Sequence, residues 1–327
     1  MRWRRITFAF AAMALAAAPL RGQSDPCLRR TVPVNVLTAK GETVTGLTPE
    51  NFKASFHRKA VKIVSVTQDE TPRRVVIVLG ASTSVISQKH DWKAYVGVAQ
   101  DLTQVLPPGS SVGFAVFTKK IERNIPLTSD RAKIQDELAK LQSGAKEFKG
   151  RTSLRDAVFA VASTEFGTSQ VGDTIYAITD GIDSSSATSL DELRTILLEK
   201  HVRLFAFSRQ VIPEDSFIEG GTSPRDLREL VESSGGEAIN MGPNALGNVP
   251  DLADNLGKPT LEGLLVARQF REIFAFNRVE IELPERFEKA QKWSLDTAGL
   301  DSHDVLLTYP RSLAGCASAS AATVTKR

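Results

Sequence analysis

Apolar and polar positions follow two different periods along this chain, and the change of period divides it. Val75, Val76, Ile77, Val78 and Leu79 form an unbroken, mostly β-branched apolar run, the pattern of a strand buried on both faces in a parallel sheet covered by helices. The run ends in Gly80-Ala81-Ser82-Thr83-Ser84, a small polar loop at the strand's carboxyl end, where open α/β sheets bind ligands. Amphipathic spacing then predicts a helix over Ser87–Leu106, with Val96, Ala99, Leu102 and Val105 on one face, stopped by Pro107-Pro108-Gly109. Ser111–Thr118 reads as the next strand and Ile121–Leu127 as its antiparallel neighbour across a Lys119-Lys120 turn. Asp130 caps a helix to Leu141, and Thr152–Phe166 is another, with Leu154, Ala157, Val158 and Val161 facing inward.

The alternation continues. Asp173–Thr179 reads as a strand ending at Asp180-Gly181, and Ser189 with Glu192 forms a capping box for a helix to Lys200. Val202–Ser208 is a strand, Ser223-Pro224 starts a helix to Ser233, and Glu237–Asn240 is a short strand. Asn248–Phe270 is a long helical candidate broken at Gly257-Lys258-Pro259. Strands and helices in this order predict an α/β fold, a doubly wound, mostly parallel sheet with right-handed crossovers.

Both flanks are different. Thr31–Val66 reads as a small β unit: alternating valines around an edge-compatible Pro33, a turn at Thr48-Pro49-Glu50, then Phe52–Phe56 and Val61–Val66 around His57-Arg58-Lys59. Arg271–Leu283, Lys292–Asp296 and Val305–Tyr309 also read as strands. These predict an appended small β module built from both chain ends. The expected organisation is a leader over 1–22, a β segment over 31–69, an α/β domain over 74–270, a second β segment over 271–312, and a disordered tail over 317–327.

Composition narrows the function classes. Histidine is scarce, with four in 327 residues, which leaves little material for histidine-rich metal sites. Met1–Gly22 carries Arg2, Arg4 and Arg5 ahead of an apolar stretch at Ile6–Leu20, the form of a secretory signal and short for a membrane span. Its removal, with Arg21, takes the formal charge from +3 to −1. A near-neutral chain has no nucleic-acid footprint, and no later stretch is long and apolar enough for stable membrane insertion. The protein is expected to be exported, to the periplasm, cell surface or medium. Cys27 and Cys316 are the only cysteines. An oxidising compartment permits one bridge between them, and two unpaired thiols near the ends are the other reading.

Three readings compete for the polar loop. A dinucleotide turn wants G-x-G-x-x-G, but Ser82 and Val85 stand where glycines are needed. A nucleophile elbow wants G-x-S-x-G, and Ser84 occupies the last position. None of His57, His90, His201 and His303 sits in a recognisable triad context, so a serine hydrolase using Ser82 is the enzyme alternative. The third reading gathers Ser82 and Ser84, Thr152 after Gly150-Arg151, and Asp180, hard oxygen donors of the kind Mg²⁺, Mn²⁺ or Ca²⁺ accept.

On these residues the chain resembles the von Willebrand factor A domain family, and more specifically exported bacterial VWFA-related proteins of the acidobacterial type. The resemblance runs from about Val32 to Tyr309 and includes Val44-Thr45-Gly46-Leu47-Thr48-Pro49-Glu50-Asn51-Phe52. The family's metal-ion-dependent adhesion site has the form D-x-S-x-S, then a Thr, then an Asp. Ser82, Ser84, Thr152 and Asp180 match it, while Gly80 replaces the first acid, so the site is degenerate, with Asp183 a nearby acid in sequence. The resemblance implies a non-catalytic binding protein that meets a protein or matrix ligand at the carboxyl edge of the sheet. It implies no cofactor beyond a weakly bound divalent cation, if any. The loop Arg209–Thr222, with Glu214, Asp215 and Glu219, is a further candidate contact, and Lys146–Lys149 reads as solvated surface.

Overall fold

The computed structural model describes residues 25–87, 89–144, 147–209, 221–241, 261–300 and 304–316, with the side chains of residues 84, 87, 89–91, 209, 261 and 262 outside that set. The expected leader, the tail, most of the Arg209–Thr222 loop and the Gly257-Lys258-Pro259 break lie outside the described residues. The first strands are β1 (Arg29–Thr38), β2 (Phe52–Phe56) and β3 (Lys59–Asp69). The central part comprises β4 (Arg74–Gly80), α1 (Thr83–Ser87), α2 (Lys89–Val105), β5 (Ser111–Phe117), β6 (Ile121–Thr128), α3 (Arg131–Ser143), α4 (Leu154–Thr164), β7 (Thr174–Thr179), α5 (Leu190–Glu199), β8 (Arg203–Arg209), α6 (Pro224–Ser234), β9 (Ala238–Met241) and α7 (Leu261–Phe274). Strand structure then resumes in β10 (Phe276–Glu282), β11 (Gln291–Lys292), β12 (Ser294–Thr297), β13 (Val305–Thr308) and β14 (Ser312–Leu313).

The central sheet has the order β6-β5-β4-β7-β8-β9, parallel except for β6, which runs antiparallel to β5. The apolar run in β4 shows why helices cover both faces. Val75, Ile77 and Leu79 share one buried cluster with residues of α2, α3 and α7, whereas Val76 and Val78 join residues of α4, α5 and α6 on the other face. Local chemistry starts the helices where the sequence predicts. The Ser189 hydroxyl accepts from the Glu192 amide and the Glu192 carboxylate accepts from Ser189. Ser223 and Asp226 repeat the device around Pro224, and the Asp130 carboxylate accepts from the Lys133 amide.

The two flanks form one antiparallel sheet, β12-β2-β3-β10-β1-β13, over a core that includes Val34, Val36, Phe56, Val279 and Ile281. The fold expected from the sequence is therefore present: a mostly parallel α/β sheet plus a β sheet from the termini. Cys27 and Cys316 are bridged, with Cα atoms 5.7 Å apart and a separation of 289 positions along the chain. Two local expectations change. The strand expected from Arg271 begins only at Phe276, because α7 runs on through Phe274 with Phe270 and Ile273 buried on the α/β sheet. Lys292–Asp296 divides into β11 and β12, which pair with β14 and β2 respectively.

The flanking sheet meets the α/β unit at the amino ends of the parallel strands. Arg203, the first residue of β8, is fully buried, and its guanidinium donates to Gly235 O (2.8 Å), Glu272 O (2.9 Å) and Asn35 Oδ1 (2.5 Å). Burial pushes the Arg203 pKa down to about 10, against the opposing pull of Glu272, so the group stays charged at neutral pH. Phe276 lies between two guanidinium groups, Arg73 at 4.3 Å and Arg203 at 5.6 Å from its ring centre. A Cβ on Gly172, whose φ is +97°, would sit 2.5 Å from that ring, so only glycine lets this turn approach.

Replacing Arg203 with Leu removes the guanidinium donor from Asn35 Oδ1 and Gly235 O, while Glu272 O keeps the Asn35 side-chain amide, and is expected to lower unfolding stability by about 3–5 kcal/mol, read from urea midpoints. A change within the experimental error of the parent would show that the seam does not depend on this group. Glu272, at the same seam, has its pKa raised to about 7, first by burial and then by Glu237. Its folded form holds a proton that the unfolded chain releases near pH 4.5. Stability is therefore expected to fall as pH rises from about 4.5 to about 7, with a flatter profile in Glu272→Gln.

Candidate functional site

Three chain segments converge at the carboxyl edge of the parallel sheet. The first follows β4, the second precedes α4, and the third follows β7. The Ala81 amide donates to Phe117 O at 2.8 Å, fixing the first loop to the end of β5. Thr83 links the first loop to the second: its amide donates to Gly150 O (3.3 Å), and its hydroxyl accepts from the Gly150 amide (3.2 Å). The Ser184 amide (3.0 Å) and the Ser185 hydroxyl (3.1 Å) both donate to Thr152 O, which joins the third segment to the second.

The predicted residues lie on this rim. The Ser82 hydroxyl donates to Asp180 Oδ2 at 3.2 Å. Asp180 Oδ1 accepts from the Ile182 amide at 3.2 Å. Ser82, Thr152 and Asp180 are all buried, and the side chain of Ser84 lies outside the described residues. Beneath them the Tyr95 hydroxyl donates to Thr179 O at 2.9 Å, anchoring α2 against the end of β7.

The position of the missing first acid is tight. A Cβ on Gly80 would stand 3.3 Å from Ile178 O and 3.3 Å from the Phe117 ring. Phe117 is itself fully buried in the core on that face. An aromatic residue at the end of a strand reads as ordinary core, so the sequence carries no signal for this role.

Asp183 does not stand in for the missing acid. Its carboxylate accepts from the Arg155 amide (2.8 Å), the Ser186 hydroxyl (2.6 Å) and the amides of Ser185 (3.3 Å) and Ser186 (3.1 Å). It also pairs with the Arg155 guanidinium at 3.4 Å. The group is committed to fastening the serine-rich loop onto the first turn of α4. Asp156 does similar work one residue on. Burial pushes its carboxyl up, but hydrogen bonds from Thr188 and Ala187 outweigh this and hold it below its usual range. The Ser184-Ser185-Ser186 run could have flagged this loop, since serines after an acid favour such turns.

The remaining rim donors are one carboxylate and hydroxyl groups, whereas a hard divalent cation takes six or more oxygens with anionic ligands among them. This set does not fit a tightly held Mg²⁺ or Ca²⁺. Among the described residues no group of three or more His, Cys, Asp or Glu side chains gathers. Nor do the histidines with described side chains supply a base for Ser82: His57 bonds Glu285 in the β2–β3 turn, and His201 precedes β8 at the opposite edge. One surface expectation changes nearby. Phe148, in the stretch read as solvated, is buried in the core under the Arg123 guanidinium, 5.2 Å from its ring centre.

Fold and rim together define an α/β domain with a polar, hydrogen-bonded edge and an appended β sheet. Residues 75–182 match the sequence model of the von Willebrand factor type A domain, a span that includes Gly80 and all four proposed donors. That match supports a von Willebrand factor type A assignment for this part of the chain, about a third of its length. Similar solved structures include BatB from Bacteroides thetaiotaomicron, with 18% identity, 52% of this chain and 89% of that one covered, and a TM-score of 0.40. An aerotolerance-related membrane protein from Bacteroides fragilis aligns with 19% identity, coverage of 62% and 98%, and a TM-score of 0.44. Proximal thread matrix protein 1 from the mussel byssus, with a zinc-occupied MIDAS motif, aligns with 14% identity, coverage of 66% and 50%, and a TM-score of 0.47. No curated protein matches the chain.

Gly80→Asp by itself is expected to overpack the Phe117 contact and cost about 1–3 kcal/mol, measured by denaturant unfolding. Gly80→Asp with Phe117→Ala makes room for the acid at the price of a core cavity. A single variant as stable as the parent would show that the position is open.

Proposed function

We propose that this chain is an exported, non-catalytic binding protein that recognises a protein or matrix ligand through the carboxyl-edge loops of its von Willebrand factor type A unit. Its metal dependence is weak or absent, and its place is with exported bacterial VWFA-related proteins of the acidobacterial type carrying a degenerate adhesion site. Domains of this type commonly mediate adhesion or protein binding. The observation that carries the reading is the rim itself: three loops cross-bonded into one surface, with Gly80 in place of the first acid and Phe117 packed close against it. Such a surface presents fixed backbone and hydroxyl groups to a partner without a bridging cation. The Cys27–Cys316 bridge supports export, since structural disulfides persist in oxidising compartments. Among the described residues no helix is long and apolar enough to cross a membrane.

The rim is tested by photo-crosslinking residues placed at Lys119 in the β5–β6 turn and at Arg151 and Ala187 on the second and third rim loops, all exposed positions at the carboxyl edge, with Gln170 at the opposite edge as control. One common partner captured from the first three and not from Gln170 is the expected result. Capture only at Gln170 would overturn the assignment of the binding edge. For the metal, calorimetric titration with Mg²⁺ and Mn²⁺ is expected to give no saturable heat. Saturable binding that Asp180→Ala abolishes would instead establish a cation-dependent adhesion site.

A further inference from the structure

Two turns at the carboxyl edge lie against each other and carry four cationic side chains. The first is the β5–β6 turn, with Lys119 and Lys120; the second is the loop ahead of α4, with Lys149 and Arg151 on either side of Gly150. The backbone fixes this juxtaposition. The Ser153 amide donates to Thr118 O at 2.9 Å, and the Thr118 amide donates to Lys120 O at 3.0 Å. Gly150 faces Thr118, since a Cβ on it would stand 3.7 Å from the threonine Cβ and Oγ1. Each of the four cations is one or two residues from that contact, and all four are exposed.

The nearest acids are engaged with other groups. Glu147, in the same loop as Lys149, accepts from the Arg123 guanidinium at 2.8 Å, and Arg123 also bonds Glu137. Glu122 accepts from the Thr118 hydroxyl at 2.7 Å. Asp180 accepts from the Ser82 hydroxyl and the Ile182 amide. Among the described residues, no ion pair or side-chain hydrogen bond engages Lys119, Lys120, Lys149 or Arg151. Like charges gathered on two fixed turns repel one another, so folding gains nothing from the grouping, whereas an approaching anion is steered by it.

The complement to this surface is a group of carboxylates. Arginine offers a planar fork that matches a carboxylate, and each lysine ammonium adds three donors without a fixed geometry. Single exposed ion pairs are weak, so the cluster serves a partner that brings several acids together. Glu122 and Glu147 flank the cations along the chain, and their charge repels a long polyanion or an anionic membrane laid across the edge. A short acidic stretch fits between them. We infer that these two turns bind a short Asp- or Glu-rich segment of a partner protein, its side-chain carboxylates meeting Lys119, Lys120, Lys149 and Arg151. This rests on the carboxyl edge being the binding edge, and names the chemistry of what meets it.

The test is fluorescence anisotropy on the full chain with labelled Gly-Ser peptides carrying two, three or four glutamates, and with the same peptides carrying glutamine instead. The expected result is saturable binding that tightens with each added glutamate, weakens as salt is raised, and is lost with glutamine. Lys119→Glu combined with Arg151→Glu, one reversal on each turn, is expected to weaken the tightest peptide by roughly tenfold or more. Lys133→Glu, at an exposed position in the first turn of α3, is expected to leave it unchanged. No saturable binding by any glutamate peptide, or binding unchanged in the double variant, would overturn the inference. So would heparin or phosphatidylglycerol vesicles binding these turns more tightly than any peptide. A partner crosslinked from Ala187, whose probe leaves all four cations in place, and still captured by the double variant would overturn this inference while keeping the edge assignment. Capture only at Gln170 would overturn both.

Discussion

A buried positive charge is the constraint around which the two halves of this molecule are arranged. The Arg203 guanidinium is out of water, and removing such a charge from solvent is tolerable only if its donors are met. Here they are met by Asn35 from the first strand of the flanking sheet, Glu272 O from the last helix, and Gly235 O from the end of α6. Elements far apart along the chain are thereby held at one point. Phe276 completes the joint, its ring between Arg73 and Arg203 and its edge against Gly172. The Cys27–Cys316 bridge closes the same arrangement covalently.

This joint determines which surfaces are left for function. The contacts at Arg73, Gly172, Arg203 and Gly235 sit where parallel strands begin, so the flanking sheet is seated at the amino edge. The carboxyl edge, with its three loops, is left uncovered by that sheet. The rim's stiffness comes from inside the domain: Asp183 and Asp156 spend their carboxylates on backbone amides of the serine-rich loop and the first turn of α4. Acids used in this way hold a surface in shape and are not available as metal ligands.

A cavity at the seam follows from the same joint. Charge is concentrated beside that joint, where Glu232, Glu237, Arg268, Glu272 and Arg311 line one recess. Several of those groups are satisfied by one another, while Glu237 Oε2, Glu272 Oε2 and Arg268 Nε are not. At the rim, by contrast, the Ser82 hydroxyl and the Asp180 carboxylate are bonded to one another.

Much of the fold was legible because it rests on short-range rules. The β4 run, the Ser189 and Ser223 caps, the antiparallel β6 neighbour and the strand character of both flanks are local patterns with local causes. The meeting of Ser82 with Asp180 was legible too, since each follows a strand whose direction the alternation fixes. What the sequence could not decide is where side chains point once distant segments meet. Phe117 against Gly80, Asp183 turned to the Arg155 amide of α4, Phe148 drawn under Arg123, and Glu272 buried at the seam depend on packing between elements tens to hundreds of residues apart. Hydrophobic period records which face is buried, but it does not record against which neighbour, and that pairing exists only in the folded chain.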